Sequence, residues 1–263
     1  MLFSGATSQS YQRPQLVEVI CQLRFPTILS IDTQEPAAFQ EQIRSAFPQY
    51  SIQREKLPPK LANPGSPIPV VEPQKTINNY TFVSADGQWQ LNLTQDFFSL
   101  STRNYSSWKN FASQLDKPLA AFIATYHPAY FQRIGLRYLN AISRQQLGLG
   151  ECHWQELIQR PYLGIMAEDD LPLQRVQRCT VDAQFMMDSS CCAKVHAGPG
   201  LLNSNRPDVP QDKECKFIFD LDLFMAGNLA NSLAPGALET LHGHAVQVFE
   251  GAITPRLRDA MLG

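Results

Sequence analysis

The sequence lacks the short motifs by which several large enzyme classes are recognised. It contains neither the phosphate-binding pattern GxxxxGK[ST] nor the dinucleotide-binding pattern GxGxxG, and it has no GxSxG nucleophile elbow and no HExxH zinc motif. These absences remove the sequence evidence for nucleotide-dependent enzymes, α/β-hydrolases and zinc peptidases. A cysteine hydrolase stays open, because its cysteine and histidine would be distant in the chain and would meet only in the fold.

Charged residues and long apolar segments are also scarce. Only 17% of the 263 residues are charged, the formal net charge is −2, and the lysines and arginines form no run, so nothing favours non-specific nucleic-acid binding. No segment approaches the ~18 uninterrupted apolar residues of a membrane span. The first residues have neither the basic region nor the apolar stretch of a secretory signal. We therefore expect no membrane partner.

The cysteines show neither CxxC spacing nor a dense framework. In a chain of this length, such scattered cysteines are typical of buried thiols in a reducing cytosol rather than of a disulfide scaffold. The sequence therefore predicts a cytoplasmic protein. The six cysteines are Cys21, Cys152, Cys179, Cys191, Cys192 and Cys215.

What the sequence does contain is clear strand periodicity in its first half. The segments 16–26, 80–104 and 130–143 are rich in β-branched and aromatic residues, and apolar and polar residues alternate along them. Asp86-Gly87 is a strong signal for a tight turn within the second of these segments. We expect antiparallel strands here, each with one buried face.

Two helices are predicted between these strands. Thr33 as N-cap and Pro36 in the first turn would begin the first helix, and Pro48 would end it. The second helix is expected at 106–128, capped by Ser106 or Ser107, with a kink or break close to Pro118 because proline lacks an N–H group.

The second half repeats this pattern in outline. Strands are predicted at 175–187, 191–198 and 216–227, followed by a long helix at 234–262 that contains Pro255 in its late part. The core positions of the two long helices are predicted to be Trp108, Phe111, Leu115, Phe122, Val248, Phe249 and Ile253.

The fold class follows from these elements. Runs of antiparallel strands that each end in a long helix indicate an α+β fold, in which long helices cover antiparallel sheets. The pattern suggests a duplicated strands-then-helix unit, although no residue-level repeat supports it. We expect a first half at 1–145 and a second half at 146–263, with one continuous domain as the alternative. The proline-rich segment 54–76 is predicted to be an exposed connector.

The segment SSCCAKVHAGPG (189–200) is the first candidate for a reactive or metal site. As a helix it would place Cys192 and His196 on one face, but its flanking serines and glycines favour a strand. On a strand these two residues lie ~13 Å apart, too far to share a zinc ion. We therefore expect Cys191 to be a core thiol, and Lys194 and His196 to lie on the polar face.

The other polar groups also favour structural over catalytic roles. His242 and His244 diverge on a helix, and the neighbours in ECHW (151–154) have no partner cluster. The acidic triplet 168–170 is interpreted as solvated surface, and Asp220 and Asp222 as part of the polar face of a strand, with acid–base chemistry as the less favoured alternative. No catalytic, cofactor-binding or metal-ligating residue is predicted.

Arginine is the only residue type that suggests a binding surface. Arg133 and Arg137 share one face of a predicted strand, and Arg175 and Arg178 lie on another predicted strand. If the strands are neighbours, these guanidinium groups could contact an anion or a nucleic-acid backbone. The favoured alternative is a set of cross-strand ion pairs with Asp182, Asp220 and Asp222.

Three segments carry a family resemblance that covers almost the whole chain. They are PQLVEVICQLRFPTILSIDTQEPAAFQEQIRSAFPQY, FQRIGLRYLNAIS and LHGHAVQVFEGAITPRLRDAM. Together they resemble a sporadically distributed family of uncharacterised prokaryotic proteins of about this length. The resemblance implies no reaction and no catalytic residues. A patchy distribution is common for genes of mobile elements and defence systems.

The functional hypotheses follow from these observations. The leading one is a non-enzymatic cytosolic protein that binds another protein, as an assembly component of a mobile-element, defence or toxin–antitoxin system. The second is a small-ligand-binding protein with a pocket between a long helix and the sheet. The third is a nucleic-acid-contacting component that uses the arginine face. No cofactor is expected, and homo-oligomerisation stays open.

Overall fold

A nine-stranded antiparallel sheet lies at the centre of the structure, a computed structural model that describes residues 10–56, 61–62, 70–71, 76–172, 175–202 and 212–263. In chain order the strands are β1 (Leu16–Arg24), β2 (Gln49–Lys56), β3 (Leu61–Ala62), β4 (Val70–Val71), β5 (Thr76–Val83), β6 (Trp89–Leu93), β7 (Phe97–Thr102), β8 (Phe131–Ile142), β9 (Val181–Met186), β10 (Cys191–Gly200) and β11 (Lys216–Leu229). The large sheet has the order β2-β5-β6-β7-β1-β8-β11-β10-β9, and β3 pairs separately with β4. The predicted α+β class with antiparallel strands is confirmed.

Six α-helices are present among the described residues. They are α1 (Leu29–Thr33), α2 (Ala37–Ile43), α3 (Trp108–Tyr126), α4 (Trp154–Leu157), α5 (Ala234–Ala252) and α6 (Pro255–Leu262). Within this part of the chain, none of them combines the length and the hydropathy that crossing a bilayer would require.

Alternation along the strands gives the large sheet one apolar face and one polar face. On β1, the side chains of Val19, Cys21 and Leu23 are fully buried. Cys21 lies opposite Leu100 of β7 on one side and Leu136 of β8 on the other. Apolar rows of this kind run across neighbouring strands and form the floor of the hydrophobic core.

The hairpin predicted at Asp86-Gly87 is present. Strands β5 and β6 pair antiparallel on either side of the turn. Gly87 has a φ of 71°, in the left-handed region that favours glycine. The carboxylate of Asp86 accepts a hydrogen bond from the backbone N–H of Gln88 at 3.0 Å, which stabilises the turn locally.

Helix α3 forms where the apolar stripe predicts it. The side chain of Ser107 accepts a hydrogen bond from the backbone N–H of Asn110 at 3.2 Å, so Ser107 is the N-cap. The helix runs through Pro118 without a break. Phe122 packs its ring against Phe98 of β7, with centroids 5.2 Å apart, and against Phe25 at 4.9 Å.

Helix α5 packs against β8 and β11. Of the predicted core positions in α3 and around α5, five are buried, but Trp108 and Phe249 are only partly buried and lie against the edge of the core. Phe249 contacts Phe219 of β11 with ring centroids 6.0 Å apart. The buried positions are Phe111, Leu115, Phe122, Val248 and Ile253.

The predicted single helix at 234–262 is wrong, because the chain forms two helices there. α5 ends at Ala252, and Ile253 adopts an extended conformation and pairs with Ile158. The side chain of Thr254 then caps α6, whose first residue is Pro255. The missing N–H of Pro255 cannot donate to a preceding turn, so the proline begins a helix instead of continuing one.

Thr33 was predicted to begin a helix, but it ends one. Its hydroxyl donates a hydrogen bond to the carbonyl of Leu29 at 3.1 Å, and α2 starts separately after Pro36. The hydroxyl therefore satisfies the last turn of α1 rather than the first turn of a longer helix.

The predicted exposed connector 54–76 carries strand pairing at several points. Arg54–Lys56 belong to β2, whose ladder with β5 extends to Lys56 opposite Thr76. Leu61–Ala62 pair with Val70–Val71. The proline-rich residues 57–60, 63–69 and 72–75 lie outside the described residues.

Strands from both predicted halves share the large sheet. β8, from the first half, pairs with β11, from the second, over the whole span from Ile142–Phe217 to Phe131–Leu229. The sheet therefore does not divide at residue 145. Each half contains three consecutive antiparallel strands followed by a 19-residue helix, β5-β6-β7 with α3 and β9-β10-β11 with α5.

Candidate functional site

A cavity of about 340 Å³ opens between α5 and the apolar face of the sheet. Its floor is formed by side chains of β8 and β11, its roof by α5, and its remaining walls by the N-terminal segment, the residues before α3 and the end of α6. Apolar and aromatic side chains form most of the lining, and polar side chains lie among them. Its aromatic and polar members include Tyr11, Gln15, Tyr105, Tyr138, Asn140, His242, Phe249 and Glu250.

A chain of polar rings lies on one side of this cavity. The hydroxyl of Tyr138 and Nδ1 of His242 are 2.8 Å apart, and the ring of Tyr105 meets the ring of Tyr138 edge-on, with the centroids 6.0 Å apart. Trp108 stacks on His242 with the ring planes 10° apart and the centroids at 4.7 Å. The indole N–H of Trp108 donates to Glu239, which fixes the ring that holds His242 in place.

These rings are uncharged at neutral pH. Burial raises the pKa of Tyr138 well above its usual range and that of Tyr105 to about 12. Burial also lowers the pKa of His242, an effect that the nearby Glu239 carboxylate opposes. Two phenols and a neutral imidazole can therefore donate or accept hydrogen bonds here without carrying charge.

Glu250 is the only carboxylate among the described residues that line the cavity, and its side chain is 2% exposed. It accepts a hydrogen bond from the hydroxyl of Tyr11 and a charge-assisted one from Nε of Arg258 at 2.9 Å. Burial, and then this hydrogen bond to Glu250, raise the pKa of Tyr11. Arg258 thus supplies the opposite charge, and Arg258 and Tyr11 supply the hydrogen-bond donors, that a buried carboxylate requires.

The N-terminal segment is fixed as a wall of the cavity by backbone contacts. The N–H of Arg13 donates to the carbonyl of Met261 in α6 at 3.0 Å, and the N–H of Ala141 in β8 donates to the carbonyl of Gln15 at 2.9 Å. The side-chain oxygen of Gln15 accepts from the N–H of Ser143 at 2.8 Å. These contacts join the segment to both the sheet and the last helix.

The segment SSCCAKVHAGPG contains strand β10, as predicted. Cys191 is fully buried, and burial raises the pKa of its thiol to about 12. Lys194 is exposed on the opposite face, where His196 places Nδ1 2.7 Å from the carboxylate of Asp182. The expectation of a core thiol beside a polar face is confirmed, although Cys192, on the polar side, is itself buried.

The two histidines of HGH diverge, as predicted. His242 contacts Tyr138 in the cavity, whereas Nε2 of His244 lies 2.8 Å from the carboxylate of Asp188 in the β9–β10 turn. That carboxylate also accepts from the N–H groups of Ser190 and Cys191. Hydrogen bonds to these two N–H groups and to His244 hold the pKa of Asp188 well below its usual range.

Arg133 and Arg137 lie on the polar face and are paired with carboxylates. Nη2 of Arg133 donates to both oxygens of Asp222 at 2.7 Å, and Nε of Arg137 donates to Asp220 at 2.7 Å. The guanidinium of Arg133 passes over Gly135, where an added Cβ would lie 2.1 Å from it. The predicted cross-strand pairing with Asp220 and Asp222 is therefore present, and a phosphate would have to displace a carboxylate.

Arg175 and Arg178 are not on a strand, because β9 begins only at Val181. The N–H of Arg175 instead donates to the carbonyl of Pro172 in a turn. The strand prediction for 175–187 is thus too long at its start. The structure does not place these two arginines beside Arg133 and Arg137 on a shared strand face, and the nucleic-acid contact stays a prediction.

The remaining acidic and sulfur-containing groups serve the fold. Cys152 is buried, and the N–H of His153 donates to Glu156 at the start of α4. Glu168 of the acidic triplet forms an exposed ion pair with Arg160 at 3.6 Å. Within the described residues, no three His, Cys, Asp or Glu side chains are grouped so as to hold a metal ion.

The sequence suggested a pocket between a long helix and the sheet but did not identify the residues that line it. Only two weak signals pointed to them: Asn140 continues the apolar face of β8, and Glu250 follows Phe249 in the apolar part of α5. Comparisons with protein-family models, with curated proteins and with solved structures found no match. The geometry of the chain itself must therefore carry the functional argument.

Proposed function

We propose that this chain is a small-ligand-binding protein and that its ligand occupies the cavity between α5 and the sheet. The cavity itself is the observation that carries the proposal. Its volume of about 340 Å³ lies at the lower end of the range typical of small-molecule sites. Such sites combine a mostly apolar or aromatic lining with a few polar groups that orient the ligand, which is the composition found here.

The chemistry of the lining supports binding rather than catalysis. Tyr138 contacts both His242 and the ring of Tyr105, and burial favours the uncharged form of all three groups. Glu250 is engaged by Arg258 and Tyr11. A general base or nucleophile is usually activated by a pKa shifted toward the working pH, whereas burial moves the pKa values of Tyr105 and Tyr138 further from neutral pH.

Filling the cavity tests the proposal. Native mass spectrometry of the purified chain should show a small molecule bound to the wild type. Ala245→Phe and Val246→Phe place a ring in the cavity from α5 and should abolish that adduct, whereas Thr240→Phe, at an exposed position on the same helix, should retain it. A wild-type spectrum with no adduct, together with no small-molecule binding by calorimetry, would reject the proposal.

Protein binding is a second candidate, supported by the edge of the sheet. In the part of the chain that the structure describes, β2 ends the strand order and pairs only with β5. It exposes 43% of Tyr50 and 44% of Ile52. An edge strand with exposed apolar residues is the surface to which a partner strand can be added. The same native mass spectra distinguish this candidate, because a bound polypeptide would add far more mass than a small molecule.

Two finer predictions belong to the same proposal. A cytosolic location is supported by six cysteines that are all free thiols. Full coverage of the sheet by long helices, as a duplicated unit, is supported by the matching order of three strands and a 19-residue helix in each half.

A further inference from the structure

We infer that the ligand is an uncharged molecule with a flat ring, whose hydroxyl or amide-type group forms a hydrogen bond with the Tyr138–His242 pair. This inference rests on the proposed function and adds the chemical class of the ligand. Three properties of the cavity carry it: its charge balance, its rings and the reversible polarity of the Tyr138–His242 hydrogen bond.

The charge balance excludes a favourable site for an ion. Glu250 and Arg258 neutralise each other at 2.9 Å, and the hydroxyl of Tyr11 occupies a further lone pair of the carboxylate. Glu239 lies outside the lining and is bonded to the indole of Trp108. Among the described residues that line the cavity, no unpaired charge is left for a charged ligand. An ion would lose its hydration without gaining a partner.

The rings of the lining favour a flat ligand. Tyr11 meets Phe249 edge-on, with the centroids 6.4 Å apart and the planes at 74°. Tyr105 meets Tyr138 in the same manner, at 6.0 Å and 86°. Aromatic pairs gain from edge-on and offset-stacked arrangements beyond the area they bury. A planar ligand can continue these contacts with both pairs.

The Tyr138–His242 hydrogen bond can complement a ligand group of either polarity without creating charge. A neutral imidazole has two tautomers, and a phenol hydroxyl rotates, so either ring can donate the proton between them. The Tyr138 hydroxyl, which lines the cavity, is then left as an acceptor or as a donor for the ligand. A ligand hydroxyl or amide fits both states, whereas a carboxylate or an ammonium group requires one fixed polarity and a countercharge.

Three probes that share one ring system test the charge class. They are 2-naphthol, 2-naphthoate and 2-naphthylmethylammonium, which are neutral, anionic and cationic at pH 7.5. Calorimetry with the full chain should show that 2-naphthol binds at least tenfold more tightly than either charged probe. Ala245→Phe should remove this binding, and Thr240→Phe should leave it unchanged.

A charge-changing variant tests the cause of the preference. Arg258→Gln leaves Glu250 without its cation, so the ratio of the affinities for 2-naphthylmethylammonium and 2-naphthol should rise severalfold. Circular dichroism and the thermal midpoint check that the variant is folded. If it is not, the comparison of the three probes on the wild type still tests the charge class. An unchanged ratio in the folded variant would contradict the role assigned to the ion pair.

The outcomes separate this inference from the proposed function. If a charged probe binds the wild type as tightly as 2-naphthol and Ala245→Phe blocks it, the cavity binds ligands and the charge class is wrong. If no probe binds, or if Ala245→Phe has no effect on binding, the inference fails. The proposed function fails with it only if the native mass spectrum of the wild type also shows no small-molecule adduct.

Discussion

Replacing Phe111 by alanine should destabilise the protein far more than the same change at Phe249. Both residues were predicted to be core positions, and both are aromatic. Phe111 is fully buried and contacts the rings of Trp89, Tyr105 and Trp108, with centroids 5.6, 6.2 and 6.0 Å away. Removing it leaves an enclosed void among these rings. The free energy of unfolding should fall by about 3–5 kcal/mol.

Phe249 gives a smaller effect because it already borders open space. It is partly buried and lines the cavity, so its removal enlarges an existing cavity and creates no new void. Full burial of a phenylalanine contributes about 1.5–3 kcal/mol of transfer free energy, and partial burial should give about 1–2 kcal/mol. The difference between the two variants is therefore expected to be about 2 kcal/mol.

Urea titration followed by tryptophan fluorescence measures this difference. The slope with denaturant should be unchanged, so that a shift in midpoint reports stability alone. Leu29→Ala is the control, because Leu29 is 68% exposed and should change stability by less than about 0.5 kcal/mol. Equal losses in the free energy of unfolding for Phe111→Ala and Phe249→Ala would contradict the placement of Phe249 as a half-buried residue beside the cavity.

Three further predictions concern titratable groups. In the native protein at pH 8, iodoacetamide should modify the exposed Cys215 but neither Cys21 nor Cys191, whose pKa burial raises to about 12; mass spectrometry showing either buried thiol modified would contradict this. His242 has a pKa below its unfolded value of 6.5, so the unfolded chain binds the proton first and stability should fall as pH drops below about 6.5. In urea titrations at pH 7.5 and 5.5, His242→Gln should lose less stability between the two pH values than the wild type does. The pKa of Asp188 lies below its unfolded value of 3.8, so its contribution is present above that pH and is lost as pH falls through it; Asp188→Asn should be less stable at pH 7 and less sensitive to acid, and an unchanged acid transition would refute this.

The strands could be predicted because their signal is local. Alternating residues fall on opposite faces of any strand, so Ile134, Leu136 and Tyr138 identified the buried face of β8 without knowledge of its neighbours. The turn at Asp86-Gly87 was equally local, since only two residues decide it. The order of the strands in the sheet was not predicted, because pairing between β8 and β11 depends on segments about 80 residues apart.

The predicted helix boundaries were wrong where a single residue is compatible with two local conformations. A proline can kink a helix or begin one. Pro118 lies inside α3, with the helix continuous around it, whereas Pro255 begins α6. The choice is made by tertiary contacts: Ile253 leaves the helix to pair with Ile158, a partner that helical periodicity cannot reveal.

The sequence suggested a pocket between a long helix and the sheet, but its lining residues could not be predicted because its walls meet only in the fold. Tyr11 and Glu250, which form one of its hydrogen bonds, are separated by 239 positions, and Tyr138 and His242 by 104. Each residue has an ordinary local explanation, such as a tyrosine on an apolar strand face. Only their convergence distinguishes a binding cavity from a set of satisfied core residues.

The interruption between α5 and α6, just before Pro255, helps to form the cavity. Ala245 and Met261 both line the cavity, yet they are sixteen residues apart, and a continuous helix would separate them by roughly 24 Å at 1.5 Å per residue. Along such a rod, a cavity of about 340 Å³ could reach both residues only as a narrow channel. The chain instead turns between them, and the extended Ile253 provides the turn. α6 then places Met261 beside the N-terminal segment, where its carbonyl accepts the N–H of Arg13, and the last wall of the cavity is closed.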